Sequence, residues 1–531
     1  MKTTGRLITL LTICLLSLLP KIALAVIYTA ATCENKTGQT DVQTAVDAAF
    51  SGDTVIVPAG SCTWDTKLTI TKGIKLQGAG IGNTVITDGV ISDNVISYTS
   101  STEPIEISGF TFKMADNSLS FIKLRNPVST AVVTGVKIHH NSFTNCNPCL
   151  FISGQHYGAL HHNTFSGGNM QQHVGGDIGA WENIRASYGD ANAWYIEDNI
   201  ITTNDTPIEG ARGNRYVVRY NTFIYNGSNA LAPWFDAHGN QLGKLTGVMQ
   251  TEIYGNKMVD DANKLSYMFD QRGGMGMTFY NYASTGASRT GVRIRDEYDD
   301  AISPPATSPS GQPQHVSNAY IWSNYTATAL MDTSFMRFSG TATGGGNNYL
   351  DDSSATFCGG GTNCPCSLGS CEIAAYGVEI TGGTGVGQYR VVSVFTQTRI
   401  TVTENWDTNP DATSTYEVRT DCCNTIKENR EFWTMRSTGS FDGTGAANAG
   451  GGVGCGTLAE MNAITPTSLG IGFWVTDQSC SDFTGLIGAN PTTPISGTLY
   501  RWSGSEWVAY YTPYTYPHPL GKPSAPHPRI K

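Results

Sequence analysis

Charged and imidazole side chains that could carry out catalysis are concentrated between residues 197 and 238. They are Glu197, Asp198, Arg212, Arg215, Arg219, Asp236 and His238. A reaction that withdraws a proton beside a carboxylate needs a cation to neutralise that carboxylate, a base, and an acid for the leaving oxygen. Arginines supply the cation, and His238 could be base or acid because imidazole titrates near neutral pH. This set therefore predicts β-elimination on an acidic, uronate-containing polymer.

The carboxylates of the same stretch suggest further chemistry. Glu197, Asp198 and Asp236 carry oxygens of the type that Ca²⁺ prefers as ligands. Glu197 and Asp236 are also the one pair of acids here that could flank a glycosidic bond, as hydrolysis requires. The alternative is a structural role, in which Glu197 and Arg219 form an ion pair between neighbouring coils.

These residues lie within a repeat that must position them. An apolar residue followed three positions later by Asn occurs at Ile138 and Asn141, and again 22 residues later at Leu160 and Asn163. Further copies are centred on Asn199, Asn221, Asn256, Asn281 and Asn324, and a last copy is predicted at Ile426 and Asn429. Such a period is typical of a solenoid, whose repeats pack on their neighbours.

The Asn of each copy indicates the kind of solenoid. Asn tolerates left-handed backbone, which suits a sharp corner between two short strands, and stacked corner residues would form an amide ladder. A leucine-rich repeat has a similar period, but its Leu-x-Leu spacing and helical half are missing. The repeat therefore predicts a parallel β-helix.

One position of the repeat predicts an exposed wall. The residue two before Asn follows a buried residue on the same strand, so its side chain points outward. In successive coils this position holds His139, His161, Glu197, Arg219, Tyr254, Phe279 and Trp322. We expect the rings at these positions, with Trp234 of a nearby loop, to bind sugar rings. The alternative is that stacked like residues only stabilise an exposed sheet.

The spacing of the Asn residues also locates two long loops. Asn163 to Asn199 is 36 residues and Asn221 to Asn256 is 35, so insertions of about a dozen residues flank the coils of Glu197 and Arg219. The first insertion contains His173, Asp177, Trp181, Glu182 and Arg185, and the second contains Trp234, Asp236 and His238. Long loops on a rigid scaffold commonly carry function, so the site is expected there.

The start of the chain has the composition of a secretory leader. Lys2 and Arg6 precede an apolar run over residues 7–19, and Ala23-Leu24-Ala25 is a small-residue cleavage site. We expect an exported protein without an integral membrane segment, because no other stretch is long and apolar enough to span a bilayer. The net charge of −10 argues against nucleic acid as a partner.

The cysteines support the same address. Of 13 Cys, 12 are left without Cys14 of the leader, and an even number in an exported chain predicts disulfides. Cys33 with Cys62 would staple the amino-terminal end, and Cys146 with Cys149 would close a loop. Four more cysteines between residues 358 and 371 resemble a zinc cluster, but disulfides are the expectation for a secreted chain.

Residues 41–80 carry a family resemblance. A short amphipathic helix capped by Asp41 precedes Gly-Asp-Thr-Val-Ile-Val-Pro-Ala-Gly at residues 52–60 and Ile-Lys-Leu-Gln-Gly-Ala-Gly at residues 74–80. This resembles the opening of pectate-lyase-like right-handed β-helix proteins. The resemblance implies an all-β, single-stranded parallel β-helix, a helix that covers the first coil, and polysaccharide bound along the sheets. It also implies Arg or Lys as the base, beside Ca²⁺ held by carboxylates, for which Glu197, Asp198 and Asp236 are the predicted ligands.

The chain is thus expected to have four parts. They are a leader (1–25), a parallel β-helix (26–330), an inserted or appended small β-module (331–422), and the last coil or coils with an aromatic, Pro-rich cap (423–531). The aromatic tail could alternatively bind sugars. The predicted function is binding, and lyase-like cleavage, of extracellular or cell-wall polysaccharide; a non-catalytic adhesive protein and a glycoside hydrolase are the alternatives.

Overall fold

The computed structural model describes most of the chain from residue 25 onward. The described ranges are 25–115, 119–128, 130–146, 148–167, 172–175, 187–227, 233–239, 246–260, 267–284, 291–294, 316–327, 330–331, 336–357, 377–419, 428–435 and 452–521. Residues 1–24 of the predicted leader, the cysteines between 358 and 371, and Asp177, Trp181, Glu182 and Arg185 of the first insertion lie outside these ranges. Of His173 only the backbone is described.

Three long parallel sheets wind around one apolar core. Each coil contributes a strand to sheet 1, then to sheet 2, then to sheet 3, and strands pair with the equivalent strand of the next coil. Because crossovers between parallel strands are right-handed in almost all proteins, the coil is right-handed. The predicted right-handed parallel β-helix is confirmed.

Sheet 1 has twelve strands within the described residues. They are Ile27–Thr29, Thr54–Val57, Lys75–Gly78, Glu106–Ser108, Val132–His139, Gln155–His161, Trp194–Glu197, Arg215–Arg219, Gln250–Tyr254, Met275–Phe279, Ala319–Trp322 and Phe432–Thr434.

The described strands of the other two sheets are shorter. Sheet 2 contains Gly60–Trp64, Thr84–Asp88, Thr111–Lys113, Ser142–Thr144, Thr164–Ser166, Ile200–Thr203, Thr222–Tyr225, Lys257–Val259, Tyr282–Ala283 and Tyr325–Thr326. Sheet 3 contains Leu68–Ile70, Asn94–Thr99, Ser120–Arg125, Leu150–Ser153, Gln172–Gly175, Ile208–Ala211, Pro233–Ala237, Tyr267–Gln271 and Val292–Ile294.

The corner between sheets 1 and 2 contains the predicted Asn ladder. Asn141, Asn163, Asn199, Asn221, Asn256, Asn281 and Asn324 are buried, and from Asn141 to Asn281 each backbone N–H donates to the Oδ1 of the next ladder Asn at 2.9–3.3 Å. The left-handed backbone lies one residue earlier than predicted. His140, His162 and Asp198, for example, have φ of 52–55°. The Asn side chain provides the hydrogen bonds at the corner, and the residue before it adopts the left-handed conformation that turns the chain.

The last predicted copy of the repeat is displaced. The strand that extends sheet 1 beyond Ala319–Trp322 is Phe432–Thr434, which begins after Asn429. Asn429 does not continue the ladder, because it precedes the strand Phe432–Thr434, whereas each ladder Asn follows its strand of sheet 1. Its side-chain oxygen accepts a hydrogen bond from the Gly452 backbone at 2.6 Å.

A short α-helix covers the first coil of the β-helix. Helix α1 (Asp41–Ala48) buries Val42, Ala45 and Val46 against the first strands. Asp41 is the first helical residue and not the cap; its carboxylate accepts a hydrogen bond from the Thr32 hydroxyl at 2.6 Å. The helix hides an apolar coil end that would otherwise be open to pairing.

A small antiparallel module is inserted before the last rung of sheet 1. Its strands are Met336–Thr341, Gly344–Gly346, Tyr349–Asp351, Gly377–Gly382, Tyr389–Phe395, Arg399–Val402 and Thr415–Arg419. It has a hydrophobic core of its own, which includes Leu350, Val378, Ile400 and Trp406. The module is therefore a separately packed unit.

The carboxyl-terminal region packs along the β-helix. Its sheet comprises Val453–Gly456, Gly472–Val475, Thr498–Trp502 and Trp507–Tyr511, with helix α2 (Leu458–Asn462) and a final 3₁₀ turn (Pro519–Gly521). Trp474 of this sheet packs on Phe279 and Trp322, with ring centroids 5.2 and 5.3 Å apart. The region thus covers the outer face of sheet 1, whereas the sequence suggested a cap on the far end.

Three disulfides link described cysteines. Cys33–Cys62 and Cys146–Cys149 are the two predicted pairs, and Cys455–Cys480 was not predicted. Within the described residues, no helix has the length and apolarity needed to cross a membrane.

Candidate functional site

The seven residues of the predicted wall stand on consecutive rungs of sheet 1. Their Cα atoms pair in the order His139, His161, Glu197, Arg219, Tyr254, Phe279 and Trp322. The predicted exposure is wrong, however, because all except His139 are buried. The carboxyl-terminal region covers this wall, so Tyr254, Phe279 and Trp322 pack against protein. The seven residues share one row of sheet 1 as predicted, and the carboxyl-terminal region that covers them accounts for their burial.

Glu197 and Arg219 form a fully buried ion pair on adjacent rungs. Arg219 Nη2 lies 2.6 Å and Nε 2.8 Å from Glu197 Oε2. Residues 512–521, which we call the C-terminal strap, complete the coordination: Arg219 donates to the carbonyls of Tyr514 and Thr515, and the His518 N–H donates to Glu197 at 2.8 Å. Burial opposes the charge of Arg219, but Tyr254 and Glu197 outweigh it and hold its pKa well above the ordinary value.

Asp198 faces the strap and not a ligand site. Its Oδ1 accepts hydrogen bonds from the Asn490 N–H and the Tyr516 hydroxyl, each at 2.8 Å. Burial is the main reason that the pKa of Asp198 is raised. Asp236 lies on sheet 3, on another side of the β-helix. Glu197, Asp198 and Asp236 therefore do not form the predicted Ca²⁺ ligand set, and Glu197 and Asp236 cannot flank one glycosidic bond.

The two other predicted arginines lie away from this pair. Arg215 begins the strand that ends at Arg219, so about 13 Å of extended backbone separates them. Its Nε lies 3.3 Å from the Met249 sulfur, and burial lowers its pKa. Arg212 is exposed in the turn before this strand, in left-handed conformation with φ of 58°. The three arginines therefore do not converge on one carboxylate.

The histidines at the start of the wall form two stacked columns. The rings of His139 and His161 are 4.8 Å apart, and those of His140 and His162 are 5.1 Å apart. Burial, then the neighbouring imidazoles, lowers the pKa of His161 to about 2. Among the described residues, no group of three or more His, Cys, Asp or Glu side chains is arranged to hold a metal ion.

Trp234 is part of the packed interior. Its ring centroid lies 5.8 Å from that of Phe223 and 6.0 Å from that of Tyr225, and the residue is 2% exposed. The predicted role in stacking on sugar therefore lacks an open ring face.

A second cluster of charged residues lies on the outer face of sheet 3. Glu209, Asp236, Asp270 and Arg293 are Cα partners on four consecutive rungs. His238 and Arg272 each lie two residues after a member of this row. Of these six residues the sequence predicted only Asp236 and His238.

His238 joins two rungs of this cluster. Its Nε2 lies 2.5 Å from Glu209 Oε1 and 3.4 Å from Asp236 Oδ2. Arg272 donates hydrogen bonds to both carboxylate oxygens of Asp236, at 2.9 and 2.5 Å. The Nη2 atom of Arg272 also lies 2.8 Å from His238 Nε2. The side chains of His238, Glu209 and Asp236 are 9%, 11% and 14% exposed, so solvent still reaches them. We call Glu209, Asp236, His238 and Arg272 the sheet 3 cluster.

Comparisons with known proteins add little to this picture. No protein-family model and no curated protein matches the chain. Solved structures that resemble it include ORF18 of Geobacillus virus E2, at 13% identity over 84% of this chain and 86% of that one, with a TM-score of 0.32. Pectin methylesterase PemA from Erwinia chrysanthemi matches at 10% identity over 59% of this chain and 93% of its own, with a TM-score of 0.28. The fold rests on the chain's own three sheets, and at such low TM-scores the likeness carries no functional argument.

Proposed function

We propose that the protein acts on extracellular polysaccharide and that the sheet 3 cluster is its reactive centre. The observation that carries this proposal is the His238 bridge between two carboxylates on adjacent rungs. Because one Nε2 lies 2.5 Å from Glu209 and 3.4 Å from Asp236, those two oxygens are at most 5.9 Å apart. That upper limit is below the separation of about 6.5–9.5 Å found in inverting glycosidases and admits the about 5 to 5.5 Å of glycosidases that retain the anomeric configuration. Hydrolysis of a glycosidic bond is the reaction that this geometry supports best.

The neighbours of the two acids, Arg272 beside Asp236 and His238 beside Glu209, indicate a different role for each acid. Arg272 binds both oxygens of Asp236 and stabilises its negative charge. Glu209 instead faces His238, and we assign it the role of the protonated acid. Glu209 would then protonate the leaving oxygen while Asp236 attacks the anomeric carbon and forms a glycosyl ester. A water molecule deprotonated by Glu209 would hydrolyse this ester and restore both acids.

β-Elimination on a uronate is the second candidate. It is favoured by the 2.8 Å distance between Arg272 and His238, which sets a cation beside a potential base. Arg272 would have to exchange Asp236 for the carboxylate of the sugar. No step in either candidate uses Ca²⁺, because the predicted ligands Glu197, Asp198 and Asp236 do not come together.

Export is part of the same proposal. The disulfides Cys33–Cys62, Cys146–Cys149 and Cys455–Cys480 would persist in an oxidising, extracytoplasmic compartment. The leader predicted over residues 1–25 would direct the chain there. Because the described sheets of the β-helix extend over nine to twelve rungs, an extended polymer rather than a small molecule is the substrate that we expect.

The test is incubation of the chain without its leader with a panel of neutral and uronate polysaccharides, with and without a chelator. New reducing ends without unsaturation would support hydrolysis, ultraviolet-absorbing unsaturated ends would support elimination, and loss of either on chelation would restore a metal to the mechanism. If no polymer is cleaved, the catalytic proposal fails and the alternative of a non-catalytic adhesive protein is favoured.

Variants of the two acids provide the sharper test. Glu209→Gln and Asp236→Asn should each lower the rate of cleavage by about 10²-fold or more, because each removes an acid, base or nucleophile. Glu106→Gln is the matched control: Glu106 also pairs with a histidine, at 3.2 Å from His139 Nε2, but on sheet 1. It should leave the rate unchanged; equal losses in all three variants would contradict the proposed site.

A further inference from the structure

A cleft separates the outer face of sheet 2 from a loop of the carboxyl-terminal region. Its volume is about 640 Å³, within the range typical of small-molecule sites. One wall consists of Lys257, Tyr282 and Tyr325, which are Cα partners on three consecutive rungs. The other wall includes Asp482, Phe483 and Thr484. This cleft is on a different sheet from the sheet 3 cluster and does not depend on the proposed reaction.

Both walls of the cleft are held in place. Cys480 anchors the loop through its disulfide with Cys455, and Gly488 donates a hydrogen bond to the Gly255 carbonyl of the β-helix at 2.8 Å. Phe483 is buried, and its ring contacts that of Tyr325 edge-on, with centroids 5.6 Å apart. Tyr282 and Tyr325 are half-buried and pack on the same apolar cluster. A ligand would therefore enter a preformed site.

The lining selects the chemistry of the ligand. Half-buried tyrosine rings provide flat apolar surface with a polar edge, and the hydroxyls of Ser481 and Thr484 lie at the opposite wall. Lys257 and Asp482 are the charged residues of the lining, and their charges balance. With a net charge of −10, the whole chain repels polyanions. From this combination of ring faces, hydroxyls and zero net charge we infer that the cleft binds a neutral glycan, one or two sugar rings at a time.

The test is calorimetric titration of the full chain with cellohexaose, xylohexaose and mannohexaose, with trigalacturonate as the acidic comparison. At least one neutral hexasaccharide should bind, and trigalacturonate should not compete for its site. Tyr282→Ala should weaken binding at least tenfold, since it removes one of the two tyrosine rings on which a sugar would stack. Failure of every neutral hexasaccharide to bind would overturn the inference.

Further variants separate this site from the reactive centre and from misfolding. Thr484→Arg places a large side chain in the cleft at an exposed position, so the hydrophobic core is unchanged. It should reduce binding as strongly as Tyr282→Ala. Glu106→Gln, on sheet 1 and outside both sites, should leave binding unchanged. If Glu209→Gln abolishes binding and the two cleft variants do not, the glycan binds at the reactive centre and the inference is wrong.

Discussion

Asn221 shows how one side chain can join three coils. Its Nδ2 lies 2.8 Å from the Ile196 carbonyl of the preceding coil and 3.1 Å from the Asn256 oxygen of the next. Its own oxygen accepts from the backbone and side chain of Asn199, each at 3.0 Å. Because every partner is buried, no water can replace this amide.

Asn221→Ala should therefore destabilise the protein by about 1–3 kcal/mol, the cost of leaving buried polar groups unsatisfied. Urea unfolding followed by far-ultraviolet circular dichroism measures the change. The control is Asn226→Ala, an exposed Asn five residues later, which should shift stability by less than about 0.5 kcal/mol. Equal stability of the two variants would show that the ladder is incidental.

The Glu197–Arg219 pair allows a second prediction at this scale. Arg219→Met should cost about 3–5 kcal/mol, because Glu197 is then left charged and buried without its cation. The double variant Glu197→Gln, Arg219→Met removes both charges and should recover a large part of the loss. Urea midpoints of the wild type, the single and the double variant give the comparison; a single variant as stable as the wild type would contradict the assignment.

The same residues show what the sequence could and could not predict. The adjacency of Glu197 and Arg219 followed from their fixed position relative to Asn. Glu209 and Asp236 have no such marker. Glu209 lies 10 residues after Asn199 and Asp236 lies 15 residues after Asn221, so the pairing of these two residues on sheet 3 cannot be predicted from the repeat. The strap that buries Glu197 comes some 300 residues later, and a repeat carries no information about what packs on its outside.

At the scale of elements, the C-terminal strap is held by groups that titrate. His518 lies against the rings of Tyr195 and Tyr514, with centroids 4.6 and 5.4 Å away, and its Nδ1 accepts the Leu520 N–H at 3.2 Å. Burial, then the charge of Arg219, lowers the pKa of His518 to about 4. The neutral imidazole is therefore the form that docks.

We expect the strap to loosen in mild acid. Above pH 6.5 His518 is neutral whether docked or free, so its contribution is fully present; as the pH falls from 6.5 towards 4, the free strap binds a proton that the docked strap excludes, and docking weakens. Asp198, whose pKa is raised, opposes this trend only where carboxylates begin to titrate. Hydrogen exchange of residues 512–521 at pH 7.5 and pH 5, expressed as protection relative to the intrinsic rate at each pH, measures the effect.

The variant His518→Phe supplies the control for this prediction. It keeps an aromatic ring against Tyr195 but cannot be protonated, so the protection of the strap, corrected for the intrinsic pH dependence of amide exchange, should no longer fall between pH 7.5 and pH 5. An unchanged pH dependence in this variant would assign the effect to other groups, such as His161 on the rung beneath.

At the scale of the whole molecule, the β-helix and the antiparallel module have separate cores. The strands Ala319–Trp322 and Phe432–Thr434 pair directly although the module lies between them in sequence. Replacing residues 336–419 by a short Gly-Ser linker should therefore leave the β-helix folded. The backbone amides of Asn256 and Asn281 should retain their protection from hydrogen exchange; loss of that protection would show that the module supports the last coils.

The Asn ladder has a consequence for how this protein can change in length. Successive ladder residues are separated by 22, 36, 22, 35, 25 and 43 positions, yet each makes the same contact with the next. The ladder thus has one Asn in each coil, whatever the number of residues in that coil. Material can be added or removed freely between its members, but the rod itself can grow or shorten only by whole turns.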